Sequence, residues 1–143
     1  MRCLLDTNVV SEATRPQPDP KVLAWLSNQD LAETYLSVVT IGEIEQGISR
    51  LGRTRRADSY RTWLEEELRN TYAGRILSLD EAILRTWGRV TGEAIKQGRP
   101  PALLDSFLAS TAITHDLVLV TRNTQDVTML SVEPFDPWQA STV

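Results

Sequence analysis

Short apolar runs alternate along this chain with longer segments whose apolar residues recur every three or four positions. The first run, Cys3-Leu4-Leu5, closes at Asp6. It reads as a buried strand that delivers a carboxylate to its C-terminal tip. Val9 to Ala13 predicts a short helix, stopped by Arg15-Pro16-Gln17-Pro18-Asp19-Pro20, where three prolines at alternate positions cannot continue one. Pro20 then opens a helix behind an Asp19 cap. The β-branched and aromatic stretch from Thr34 to Val39 predicts a second strand. Behind it, Ile41, Ile44, Ile48 and Leu51 step by three, four and three and mark one buried helix stripe. Thr40 with Glu43 has the spacing of a capping box for that helix. Gly42 and Gly47 are poor helix formers, and they predict a close approach to the backbone beside Glu43.

The second half repeats the alternation. Ala57, Tyr60, Leu64, Leu68 and Tyr72 share a face of a helix from Thr54 to Tyr72, with the run Glu65-Glu66-Glu67 on its solvated side. After Gly74, Arg75 to Leu79 is a short strand. Asp80 caps a helix with the stripe Ile83, Trp87, Val90 and Ala94, ended by Gly98-Arg99-Pro100-Pro101. A further helix starts near Ala102, with Leu104, Phe107, Leu108 and Thr111 as its apolar side and His115 near its end. Leu117 to Val120 is a strand, Val132-Glu133 an edge strand, and Trp138 docks its ring on the body. Strands alternating with helices predict one three-layer α/β/α domain, residues 1–143, with a mostly parallel central sheet of four to five strands.

Composition narrows the classes. Hydrophobic residues make up 41% and charged residues 24% of the 143 positions, ordinary for a soluble domain of this length. No apolar run is long enough to span a bilayer, and Asp6 and Asn8 interrupt any leader-like pattern at the N-terminus. The single cysteine excludes an internal disulfide. A cytoplasmic protein without membrane contact is the expectation. A net charge of −4 argues against nucleic-acid binding, unless the acids gather around cations and invert the local field. Arg50, Arg53, Arg55, Arg56 and Arg61 crowd one region, either as a solvated helix face or as phosphate contacts.

Three acids fall where chemistry would want them. Asp6 ends the first strand, Glu43 lies one turn into the helix after the second, and Asp105 lies in the first turn of the helix leading to the last long strand. A parallel sheet brings such positions to one edge. Asn123 lies just beyond that last strand, and Asp126 follows it closely. Converging carboxylates repel unless they are protonated or share cations. An oxygen-only set suits Mg2+ or Mn2+. With one His and one Cys there is no zinc set, and Gly42 to Gly47 lacks the lysine of a phosphate loop. Asp80 illustrates the competing reading, an acid that merely caps a helix, and Glu43 has the same reading through Thr40.

Four stretches together carry a family resemblance: Leu4-Leu5-Asp6-Thr7-Asn8-Val9-Val10-Ser11-Glu12, Leu36 to Gly47, Leu104 to Ala112, and Val120-Thr121-Arg122-Asn123-Thr124. They resemble, in order, the motifs of PIN-domain ribonucleases, and more narrowly of VapC/FitB-type toxins of type II toxin–antitoxin systems. Arg15-Pro16-Gln17-Pro18, Ala73-Gly74-Arg75-Ile76-Leu77 and Asp136-Pro137-Trp138 look FitB-like. The resemblance implies a Mg2+- or Mn2+-dependent endoribonuclease that hydrolyses RNA phosphodiesters with metal-activated water. It carries over to Asp6, Glu43 and Asp105 as metal ligands and to Asn123 as a neutral fourth group, with Asp126 as a further source of charge. Thr7, Asn8 and Thr121 become the residues that orient the ligands. The resemblance also implies a homodimer, higher toxin–antitoxin complexes, and an antitoxin that inserts a basic side chain among the acids, with Val9, Val10, Leu64 and Leu68 as candidates for its groove. The rival functions are a housekeeping RNA-processing nuclease without an antitoxin, a binding module without turnover, and a phosphatase using Asp6 as nucleophile. The phosphatase would want a second Asp where Asn8 stands.

Overall fold

A computed structural model of the chain describes residues 1–139, so the last four positions of the expected domain lie outside the described residues. The strands are β1 (Cys3–Leu5), β2 (Thr34–Ser37), β3 (Ile76–Leu77), β4 (Val118–Val120) and β5 (Pro134–Phe135). They form one sheet in the order β3-β2-β1-β4-β5, and every neighbouring pair is parallel. The helices are α1 (Thr7–Ser11), α2 (Pro20–Ser27), α3 (Val38–Leu51), α4 (Arg55–Thr62), α5 (Arg69–Thr71), α6 (Glu81–Lys96), α7 (Leu103–His115) and α8 (Thr124–Val127).

Side chains alternate across β1. Cys3 and Leu5 enter one core with Val9, Val22, Ile44, Ile48, Leu64 and Trp138, while Leu4 enters the other with Leu108, Ala109, Ala112, Leu119 and Leu130. The first core lies under α1 to α5 and the second under α6 to α8, which makes the three layers.

Several local expectations change. The helix after β2, α3, begins at Val38, because the Ser37 hydroxyl accepts the Val39 N–H at 3.0 Å and caps it there. Thr40 is therefore inside α3, and the Thr40–Glu43 capping box does not form. No atom lies within 4 Å of a Cβ built on Gly42, and Gly47 meets only the Tyr60 ring at 3.6 Å, so the chain itself makes no close approach beside Glu43. Between α4 and α5 the helix widens into π-helix over Trp63–Leu68. Leu64, Leu68 and Tyr72, four residues apart, stay buried together through it. Leu104 is exposed, since α7 presents Leu108, Ala109 and Ala112 to the sheet instead. The edge strand falls at Pro134–Phe135 rather than Val132-Glu133. On an edge, a proline's missing N–H costs no ladder bond, and Leu119 N–H reaches the Glu133 carbonyl just before it. Val9, Val10, Leu64 and Leu68 are core residues, all 6% exposed or less, and Val10 and Leu68 also line a small cavity beside Leu26 and Trp63. Among the described residues, no helix is long and apolar enough to cross a membrane.

Candidate active site

The strand order reverses at β1. The chain leaves β1 for β2 on one side and returns as β4 on the other, so the C-terminal ends of β1 and β4 open a crevice at the switch point, where ligands of such sheets bind. Asp6 and Thr121 are the residues that follow these two strands. Asp6 N–H donates to the Val120 carbonyl at 2.9 Å, extending the β1–β4 ladder by one bond. Its side chain is held from two directions: Thr7 N–H donates to Oδ1 at 2.7 Å and the Thr121 hydroxyl to Oδ2 at 2.8 Å. Asp6 is thus the N-cap of α1 and is only 5% exposed.

Glu43 reaches the same place from α3. Its Oε1 accepts the Thr7 hydroxyl at 2.6 Å, and that hydroxyl is also hydrogen-bonded to the buried Thr40 hydroxyl at 3.0 Å. Thr7 therefore serves both acids, Asp6 through its backbone and Glu43 through its side chain. Thr40, read from sequence as a cap, is a member of this web. Thr121 also serves two groups, since its oxygen accepts the Asn123 N–H at 3.0 Å. Asn8 does not take part. It is exposed, and among the described residues its side chain makes no hydrogen bond to Asp6.

Asp105 and Asp126 complete the rim. Asp105 lies in the first turn of α7, whose N-terminus has no capping side chain. The turn is pinned otherwise: the Ser106 hydroxyl donates to the Leu103 carbonyl at 2.6 Å and accepts the Trp87 indole N–H at 2.9 Å. No sequence signal pointed to this clamp, because Trp87 read only as part of a helix stripe. Asp126 is exposed in the first turn of α8, directly after Asn123.

Electrostatics ties the acids together. Burial raises the Asp6 carboxyl above the usual aspartate range, and repulsion from Glu43 adds to it, against the lowering by the Thr121 and Thr7 hydrogen bonds. Burial likewise raises Asp105, with repulsion from Asp6 and then Asp126. Among the described residues, none of the four acids forms an ion pair with a lysine, arginine or histidine. His115, the last residue of α7, lies away from the set. An acidic crevice of oxygen donors without a protein cation matches what Mg2+ or Mn2+ takes as ligands. Among the described residues, no three acidic, histidine or cysteine side chains already close on a single point, so the donors fit such an ion by their chemistry and by their mutual repulsion, in an open arrangement.

Comparison with known proteins agrees with this geometry. Residues 3–127 match the family model for the PIN domain. Toxin FitB of Neisseria gonorrhoeae is 36% identical over 94% of this chain and 97% of its own length. A VapC ribonuclease, Y4jK of Sinorhizobium fredii, is 31% identical over 95% and 97%. Among solved structures, FitAcB from Neisseria gonorrhoeae superposes with a TM-score of 0.92 at 36% identity, covering 96% of this chain and 99% of that one. The chain belongs to the PIN domain family, on its FitB and VapC side.

Proposed function

We propose that this chain is the toxin of a toxin–antitoxin pair and acts as a Mg2+- or Mn2+-dependent endoribonuclease. The observation that carries the reading is the crevice at the β1–β4 switch point, where four acids stand in an open arrangement, near enough to repel one another, with no protein cation paired to them among the described residues. A phosphodiester would be repelled from such a place unless divalent ions came between. Asp6, Glu43 and Asp105 would hold the ion, Asn123 offers a neutral oxygen, and Asp126 adds charge at the rim. When bound, the ion lowers the pKa of water and offsets charge on the phosphate. The protein's own part is positioning. Thr121 and the Thr7 N–H fix both oxygens of Asp6, the Thr7 hydroxyl fixes Glu43, and the Trp87–Ser106 pair steadies the turn that carries Asp105.

The toxin assignment is supported by the similarity to FitB and to VapC ribonucleases, and by the resemblance of the fold to FitAB, which has been solved bound to a DNA fragment. An antitoxin partner is proposed by analogy with the toxin–antitoxin complexes that share this fold, and a homodimer from the resemblance of the motifs alone. The ion-dependent step is tested with purified protein and single-stranded RNA, with Mn2+, Mg2+ or a chelator. Cleavage should require the ion and fall by ~10³-fold or more in Asp6→Asn and Asp105→Asn, because several kcal/mol of transition-state stabilisation goes with a ligand. Undiminished cleavage in both variants would falsify the assignment. The openness of the ligand set favours one second reading, a pocket that binds ion and nucleic acid without turnover. Mn2+ binding with no cleavage at any ion concentration would select it. Growth arrest on expression, relieved by Asp6→Asn and by co-expression of a small protein encoded beside it, would separate a toxin from a housekeeping nuclease, and growth arrest that no adjoining gene relieves would favour the latter.

A further inference from the structure

One feature of the sequence is not used by the acidic centre. Arg50, Arg53, Arg55, Arg56 and Arg61 supply five of the chain's 15 lysines and arginines where α3 turns into α4, in a protein of net charge −4. All five are exposed. Among the described residues only Arg61 meets a carboxylate, in a two-point contact with Glu45 at 3.2 and 3.3 Å. Gly52, at φ +65°, folds the chain back between the helices. The Thr54 hydroxyl caps α4 by accepting the Ala57 N–H at 3.1 Å, so the positive end of α4 faces the same corner. A cavity of about 560 Å³ lies there, flanked by Ser49, Thr54, Arg53, Arg55 and Arg61, with Asp58 as its one acidic wall. Folding gains nothing from unpaired like charges gathered on a surface.

The corner is joined to the acids by α3 itself. Arg50 follows Glu43 by seven residues, which is about 10.5 Å along the axis and within ~20° of the same face. Gly42, Gln46 and Ser49 form the flank beside that face, roughly 60–120° around the helix, all exposed, and nothing stands within 4 Å of a Cβ built on Gly42. The aligned pair Glu43 and Arg50, with this exposed flank beside it, runs along α3 from the acids to the arginines.

We infer that this arginine corner grips the phosphodiester backbone of a single-stranded RNA whose adjoining linkage lies at the acids, an inference that rests on reading those acids as a nuclease centre. The corner supplies the attraction for a polyanion that the acidic crevice cannot. Guanidinium forks match phosphate oxygens and stay charged at every working pH. A single charged row along one helix tracks one backbone and offers no grip for the second backbone of a duplex. Contacts of this kind position RNA without reading its sequence.

The test is binding of a fluorescein-labelled, mixed-sequence single-stranded RNA in chelator, where no turnover occurs, followed by anisotropy across a salt series. The variants are Arg50→Gln/Arg53→Gln/Arg55→Gln, the same three positions to lysine, and a charge-matched control, Arg85→Gln/Arg89→Gln/Lys96→Gln on α6. Each lost phosphate contact lowers the slope of log K against log salt by about 0.7 for a single strand. The glutamine variant should lose about 2 from that slope, so that wild type shows a roughly 20-fold larger loss of affinity between 50 and 200 mM salt. The lysine variant and the α6 control should keep the slope. An unchanged slope in the glutamine variant overturns the inference, as does an equal loss in the lysine variant or the control. Unchanged RNA binding together with lost binding to an acidic peptide would reassign the corner to a protein partner and overturn it too. Because binding is read without catalysis, absence of ion-dependent cleavage would strike the nuclease reading separately.

Discussion

The two sides of the crevice are built differently. On the β1–α3 side, Asp6 and Glu43 stand in a web with Thr7, Thr40 and Thr121, and Asp6 has both carboxylate oxygens hydrogen-bonded at 2.7 and 2.8 Å. On the α7–α8 side, Asp105, Asn123 and Asp126 are half-buried or exposed, and among the described residues their side chains accept no hydrogen bond. Both sides carry acids of similar type, yet only one is fixed before anything binds. Under the proposed function, a fixed side would set where the ion and the scissile phosphate sit, and an open side would adjust as the shell closes.

Breaking the fixed side should cost most. Thr121→Val removes the donor to Asp6 Oδ2 and the acceptor of the Asn123 N–H in one step. Loss of a group that orients a ligand typically lowers ion affinity or activity by about 10–100-fold, and a fall in that range is expected for the Mn2+ dependence of RNA cleavage. Thr121→Ser keeps the hydroxyl and should recover most of the loss. A valine variant with wild-type Mn2+ dependence would mean that the hydrogen-bonded side is scaffolding without influence on the ion.

The difference between the sides also accounts for what the sequence made legible. Asp6, Glu43 and Asp105 were visible because each stands next to a strand end or helix start, and a parallel sheet sends such positions to one edge. The layers were visible because β1, β2 and β4 are apolar runs and α3 and α6 carry clean stripes. The web was not visible. Thr7 was expected to orient Asp6 alone, Asn8 to join it, and Thr40 to cap a helix, because a hydroxyl's partner 33 or 36 residues away depends on how α1 packs on α3, which no local spacing encodes. Ser37 took the capping role because β2 ends two residues earlier than its β-branched composition suggested. The edge strand was misplaced for a related reason: its position follows from pairing with β4, and a strand of two residues has no period to read.

The open side can be sharpened by comparing its two polar candidates. The Asp126 charge reaches Asp105 strongly enough to help raise that carboxyl, whereas Asn123 contributes an uncharged amide. Asp126→Asn should therefore weaken Mn2+ dependence by about 10-fold, the low end for groups around a metal, and Asn123→Ala by less. The reverse order in a Mn2+ titration of both variants would place the amide, not the rim acid, at the ion.

The smallest effect is also the most diagnostic, because it concerns the metal-free protein. Burial and the charges of Asp6 and Asp126 raise the Asp105 carboxyl in the folded chain. Stability contributed by its protonated form is complete below the usual aspartate range and is lost as pH rises through the raised value. Above that point the ionised carboxylate opposes folding, and Asp105→Asn removes the opposition. In chelator the variant should melt with wild type at acid pH and pull ahead as pH rises, reaching a gain of about 1–3 °C at neutral pH, a small shift because the group is partly solvated. Asp6→Asn should gain less, because an amide offers one acceptor oxygen to the two donors that now hold the carboxylate. Added Mn2+ should reverse the order: a ligand that binds only the folded state stabilises by about 2.7 kcal/mol at a hundred times its Kd, and only the protein with its acids intact can collect that. A variant that melts below wild type at neutral pH in chelator would mean that Asp105 is held by favourable contacts like those of Asp6, and the contrast between the two sides would disappear.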